Sequence, residues 1–165
     1  MMSGKVKIRI DINPSCREPE VIIRTSENTS FIDNLINTIE RYAEGEYSPV
    51  AAYKKGTLVL LDQWEIWRIY TESRKVMIRA ESGEYESRQP LRDLEEMLDQ
   101  DCFVRISRFE IVNLRRVSAF DFSQSGTIRV IFEDGSETWV ARRYVQAIQQ
   151  TLKKTEAKKE GERNV

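Results

Sequence analysis

The sequence predicts a mostly β protein with a few helices, an α+β class, on three observations. From Val50 onward the chain falls into short runs rich in Val, Ile, Tyr, Phe and Trp, divided by Lys55-Gly56, Ser82-Gly83, Ser125-Gly126 and Asp134-Gly135. Such glycines mark tight turns between strands. Apolar residues take helical spacing in only three short places. The chain of 165 residues holds one ordinary domain with an extension and leaves no room for two catalytic domains.

In chain order, Lys5 to Ile12 alternates, with Val6, Ile8, Ile10 and Ile12 on one side and Lys7, Arg9 and Asp11 on the other, which predicts a half-buried strand. Asn13-Pro14-Ser15 ends it, and Glu20 to Arg24, carrying Val21, Ile22 and Ile23, reads as a second strand. Ser30 with Asp33 suggests a capping box, after which Phe31, Leu35, Ile39 and Tyr42 line one face of a helix closed by Gly45. Strands are expected at Thr57 to Leu61, Trp67 to Tyr70, Val76 to Ala80 and Glu84 to Ser87. Pro90 then opens a short helix marked by Leu91, Leu94 and Leu98. The β series resumes at Cys102 to Ile106, Ile111-Val112, Val117 to Phe122, Thr127 to Phe132 and Glu137 to Ala141. Tyr144, Val145, Ile148 and Leu152 define a terminal helix, and residues 154–165 read as a charged, disordered tail. The composition shift between Gly45 and Gly56 sets a boundary between an N-terminal segment, 1–54, and a domain spanning 55–153.

Composition narrows the function. Hydrophobic residues are 40% and charged residues 32%, enough apolar side chain for a core. The absence of histidine removes His-dependent triads, the imidazole base and most zinc or haem ligation. Glu95-Glu96 and Glu133-Asp134 read as solvated surface rather than paired acid and base groups, and no GxGxxG or GxxxxGK[ST] loop occurs. No enzymatic activity, metal or cofactor is therefore expected. No apolar run approaches the roughly 18–20 residues of a membrane span, and the N-terminus lacks a signal-peptide core, so the expected location is the cytoplasm without membrane insertion. There Cys16 and Cys102 should be reduced thiols, with Cys102 in a buried strand. A net charge of -1 means that any nucleic-acid binding must come from Arg and Lys gathered on one surface.

More specific is the stretch Cys102-Phe-Val-Arg-Ile-Ser-Arg-Phe-Glu-Ile-Val-Asn-Leu114, followed by Asp134-Gly135 and Trp139-Val-Ala-Arg-Arg-Tyr-Val145. These residues, with the Leu91, Leu94, Glu95 and Leu98 helix before them, resemble the LytTR family in order and spacing from roughly Thr57 to Leu152. Ser107, Phe109 and Ala141 depart from it, standing where the family often has His, Ser and Ser. The resemblance implies a bacterial transcription regulator with an elongated LytTR-type β-fold, here preceded by a β-β-α segment. That fold binds double-stranded DNA through loops in successive grooves rather than through a recognition helix. The residues before Thr57 are too few for a doubly wound receiver domain, so phosphoryl control within the chain is not expected.

The residues fit that mode, since arginine forks bond guanine O6 and N7 or hold phosphate, and strand-end loops can present them. Three clusters qualify: Arg74-Lys75, Ser107-Arg108 and Arg142-Arg143. Arg105 reads as a structural or phosphate-contacting residue, and Asn113 as a side chain satisfying backbone groups at a strand bend, with DNA contact as the alternative. Trp64, Trp67 and Trp139 read as core or edge packing. The N-terminal segment suggests a homodimer holding two half-sites or promoter direct repeats, or a contact with another protein. The rival function is an interaction module docking a membrane sensor or other partner without DNA binding.

Overall fold

The computed structural model describes residues 6–44 and 48–163, with side chains described as far as residue 157. Ten strands follow the first helix, α1 (Ser30–Ala43). They are β1 (Val50–Lys54), β2 (Thr57–Leu61), β3 (Ile66–Glu72), β4 (Lys75–Ala80), β5 (Gly83–Ser87), β6 (Phe103–Ser107), β7 (Glu110–Asn113), β8 (Val117–Asp121), β9 (Ile128–Phe132) and β10 (Glu137–Val140). Helix α2 (Leu91–Met97) lies between β5 and β6, and α3 (Val145–Arg163) closes the chain. Seven strands form one antiparallel sheet in the order β2-β1-β5-β4-β3-β7-β6, and β10-β9-β8 form a second. The hairpin β1–β2 turns through Lys55-Gly56, with φ of 49° and 81°, a left-handed pair that glycine accepts without a Cβ penalty.

Alternation along the strands feeds two cores. One lies under α2, where Leu91, Leu94 and Leu98 meet Val50, Ile66, Ile69, Ile78, Phe103 and Ile111. The other lies between the sheets, where Ile106 and Val112 meet Ile128, Val130, Phe132 and Val140, and Ile148 of α3 seals it. Strand β7 shows the period-two logic: Ile111 enters one core and its neighbour Val112 the other. Asn113, 1% exposed, donates to Ile66 O (2.8 Å) and accepts from Arg115 N–H (3.0 Å), which is the structural role read from its sequence position. Cys102 is a buried free thiol whose pKa is pushed up to about 12, first by desolvation and then by its hydrogen bond to Asp99.

Several expectations need correcting. No strand forms among residues 6–29, and Val6, Ile8, Ile10, Ile12, Val21 and Ile22 are exposed. Alternation supplies an apolar face, but a strand also needs a neighbour for its N–H and C=O groups, and among the described residues no other segment pairs with this one. The Ser30 capping box is absent: Thr29 is the N-cap and makes no side-chain cap bond. Gly45, expected to close α1, lies outside the described residues. The break expected after residue 54 falls inside the β1–β2 hairpin, because β1 pairs with both β2 and β5 and buries Val50 and Ala52. The tail expected to be disordered is helical as far as Arg163; its Lys, Glu and Ala residues cannot build a core but are good helix formers. Trp64 is exposed, whereas Trp67 packs against the core between the sheets.

Candidate nucleic-acid interface

Three loops meet at one end of the large sheet. The β3–β4 turn holds Ser73 and Arg74 at φ of 50° and 65°, the pair of left-handed residues a two-residue hairpin turn demands. Beside it lies the β6–β7 turn, Ser107 to Phe109, joined to β3 by a hydrogen bond from Thr71 N–H to Phe109 O (2.8 Å). The corner after β10, Ala141 to Tyr144, docks on the edge strand β6 through Ala141 N–H to Ile106 O (2.9 Å). A side-chain link supports the same junction, since Thr138 of β10 donates to Glu110 Oε2 (2.7 Å) at the start of β7. Arg68 of β3 stands 3.3 Å from Glu110 Oε1. Burial raises the Glu110 pKa above its ordinary value, opposed by Arg68 and by the Thr138 bond.

The expected site residues separate into two groups. Arg74, Arg108, Arg142 and Arg143 are exposed and form no ion pair or side-chain hydrogen bond among the described residues, although the Arg108 guanidinium lies 5.8 Å from the Phe109 ring centre. Arg105, by contrast, is fully engaged: it donates to Glu95 (2.7 Å), to Ser107 O (2.8 Å) and to Arg108 O (2.7 Å). It thus fixes the backbone of the turn that presents Arg108. Glu95, read as solvated, is the counter-charge of that clamp. Ser107 completes the turn, its Oγ accepting from Phe109 N–H (3.0 Å). Lys75 pairs with Glu86 (2.9 Å), an exposed pair that water and salt can exchange at little cost.

The turns that carry these cations stand at strand ends, as the sequence predicts, while the bonds that organise them have no counterpart in it. The Glu110–Thr138 bond and the exposure of Phe109 had no signal in the linear pattern. Among the described residues no group of His, Cys, Asp or Glu side chains is arranged to hold a metal ion. The arrangement offers arginine forks on a rigid edge, suited to oxygen and nitrogen acceptors on an anionic polymer.

The LytTr DNA-binding domain family matches residues 56–153. Among solved structures, the LytTr DNA-binding domain of a Bacillus cereus protein described as a methyl-accepting/DNA response regulator is similar in fold, with a TM-score of 0.61 at 20% identity. The match covers 64% of this chain and 96% of that one. Relatives in Staphylococcus aureus strains N315 and MRSA252, each named an uncharacterized HTH-type transcriptional regulator, are 22% and 21% identical over 147 residues. These alignments span 89% of this chain and 98% of theirs. The similarity therefore extends beyond the β domain. Among the described residues of this chain, strands separate α1, α2 and α3 from one another, so no helix-turn-helix pair is formed.

Proposed function

The chain belongs to the LytTr DNA-binding domain family, and on that premise we propose that it is a sequence-specific transcription regulator that reads double-stranded DNA through loop-borne arginines in successive grooves. The carrying observation is the division of the cations. Among the described residues, Arg74, Arg108, Arg142 and Arg143 hold no ion pair or side-chain hydrogen bond on three adjoining loops, while Arg105 is spent on shaping one of those loops. Arg108 and Arg143 take the base-reading role, and Arg74, Arg142 and Lys75 hold phosphates. The protein acts without chemistry of its own, in the cytoplasm where its DNA lies. No helix among the described residues is long and apolar enough to cross a membrane.

Two copies bind together, each engaging one half-site or direct repeat, because one nearly neutral module has few phosphate contacts and linkage multiplies its affinity. The exposed apolar residues of the N-terminal segment and α1 supply the surface for that pairing. An electrophoretic mobility assay on fragments upstream of the protein's own coding sequence, followed by footprinting, tests the reading. A discrete shift that survives competition by random DNA is expected. No shift at low salt with any fragment overturns it in favour of a protein-docking module.

A further inference from the structure

The turn that presents Arg108 also presents an aromatic ring that the arginine reading leaves unused. Phe109 exposes 57% of its surface. Its backbone is nevertheless fixed: the N–H donates to Ser107 Oγ, the C=O accepts from Thr71 N–H, and the preceding carbonyl is held by Arg105. A large apolar side chain on a rigid, solvent-facing turn is not a packing residue of this chain, since neither core includes it. It stands beside the Arg108 guanidinium, which no carboxylate of the described residues holds. In the major groove an arginine fork meets guanine O6 and N7, while the apolar group presented there is the C5-methyl of thymine.

We propose that Phe109 is a specificity-determining residue that packs against the C5-methyl group of a thymine next to the base pair read by Arg108. The inference rests on the DNA-binding reading above and adds to it a base and a contacting ring. It predicts a preference at one position per half-site that no hydrogen-bonding side chain accounts for. Ring and fork work together: the fork sets register on the guanine, and the rigid turn then delivers the ring to its neighbour.

The test uses the full chain and a duplex enriched by it from a randomised library. Deoxyuridine replaces thymine one position at a time, which removes only the methyl group. At one thymine per half-site the affinity of the unaltered protein is expected to fall about fourfold, the worth of one buried methyl-sized group. Phe109→Ala should lose that sensitivity while still shifting the duplex, and Phe109→Leu should keep part of it. Indifference of the unaltered protein to every thymine-to-uracil change, on a duplex it does shift, overturns the proposal without touching the DNA reading. Equal uracil sensitivity in folded Phe109→Ala overturns it as well. A protein that enriches no duplex at all removes the DNA-binding reading and this proposal together.

Discussion

A guanidinium can read a base only if nothing in its own chain already holds it, and the arginines here sort on that ground. Arg116 bonds Trp64 O and pairs with Glu81 and Glu133, and Arg129 pairs with Asp121 and Glu137, so both brace the β structure. For the free set, Arg108→Ala or Arg143→Ala should each cost about 1–3 kcal/mol on the selected duplex and relax preference at particular base pairs. Both side chains are at the surface, so the thermal midpoint should barely move. Arg105→Ala should behave oppositely, lowering the midpoint because two carbonyls and Glu95 lose their donor. A folded Arg108→Ala variant with full specificity would make that arginine a bystander. The acids carry a pH signature of opposite signs. Asp121 is held at about 2 by the Ser123 side chain and N–H and then by Arg129. Its folded value lies below the unfolded one, so its contribution is present above about pH 4 and is lost as pH falls toward 2. Glu110 is raised by burial, so the native state binds the extra proton and its contribution declines as pH rises out of the ordinary carboxylate range. Urea midpoints measured against pH should show a flattened acid limb in Asp121→Asn; an unchanged limb removes Asp121 as its source.

Elements differ in how much they owe to neighbours. Helix α1 has no buried residue, and its half-exposed Arg41 reaches the buried Asp99 and the exposed Asp101 at 3.4 Å each. Deleting Met1 to Gly45 should therefore leave a cooperatively folding β domain, while weakening dimerisation and operator affinity together. Sedimentation of the truncated protein decides this, and an unchanged oligomeric state removes the role. The same dependence on neighbours explains what the sequence could disclose. Strands β2 to β10 were legible because each is a short β-rich run bounded by turn residues or helix signals. Residues 6–12 carry equal alternation but meet no partner strand among the described residues, a fact that no local pattern contains. Strand β1 lies in the run from Val50 that reads as β but was grouped with the N-terminal segment; its pairing with β5 joins residues far apart in sequence, which the local pattern does not contain. At the candidate site, the strand ends that hold Arg74, Arg108 and Arg143 were legible in the sequence, and their grouping came from the family resemblance. The clamp by Arg105 and the Thr138–Glu110 bond were not, because they depend on how elements far apart in sequence meet.

On the scale of the whole molecule, a net charge of -1 supplies no long-range attraction, so DNA affinity must come from contacts close enough to displace condensed counterions. The free loop arginines, Lys75 and the exposed lysines at positions 153 and 154 midway along α3 allow about four to six phosphates per protomer. A plot of log affinity against log salt should then fall with a slope of about -4 to -5 per protomer. A residue that holds phosphate should leave the slope shallower by about one when removed, whereas a base reader should lower affinity and leave the slope nearly alone. Lys75→Ala is thus expected to weaken selected and random DNA alike and to flatten the line, with release of Glu86 as its only structural consequence. Arg143→Ala is expected to weaken only the selected duplex and to keep the line parallel to that of the unaltered protein. Titrations of both variants on both DNAs across a salt series separate the roles. A salt-insensitive interaction contradicts the proposed interface outright, and the reverse assignment of slopes would exchange the parts played by Lys75 and Arg143.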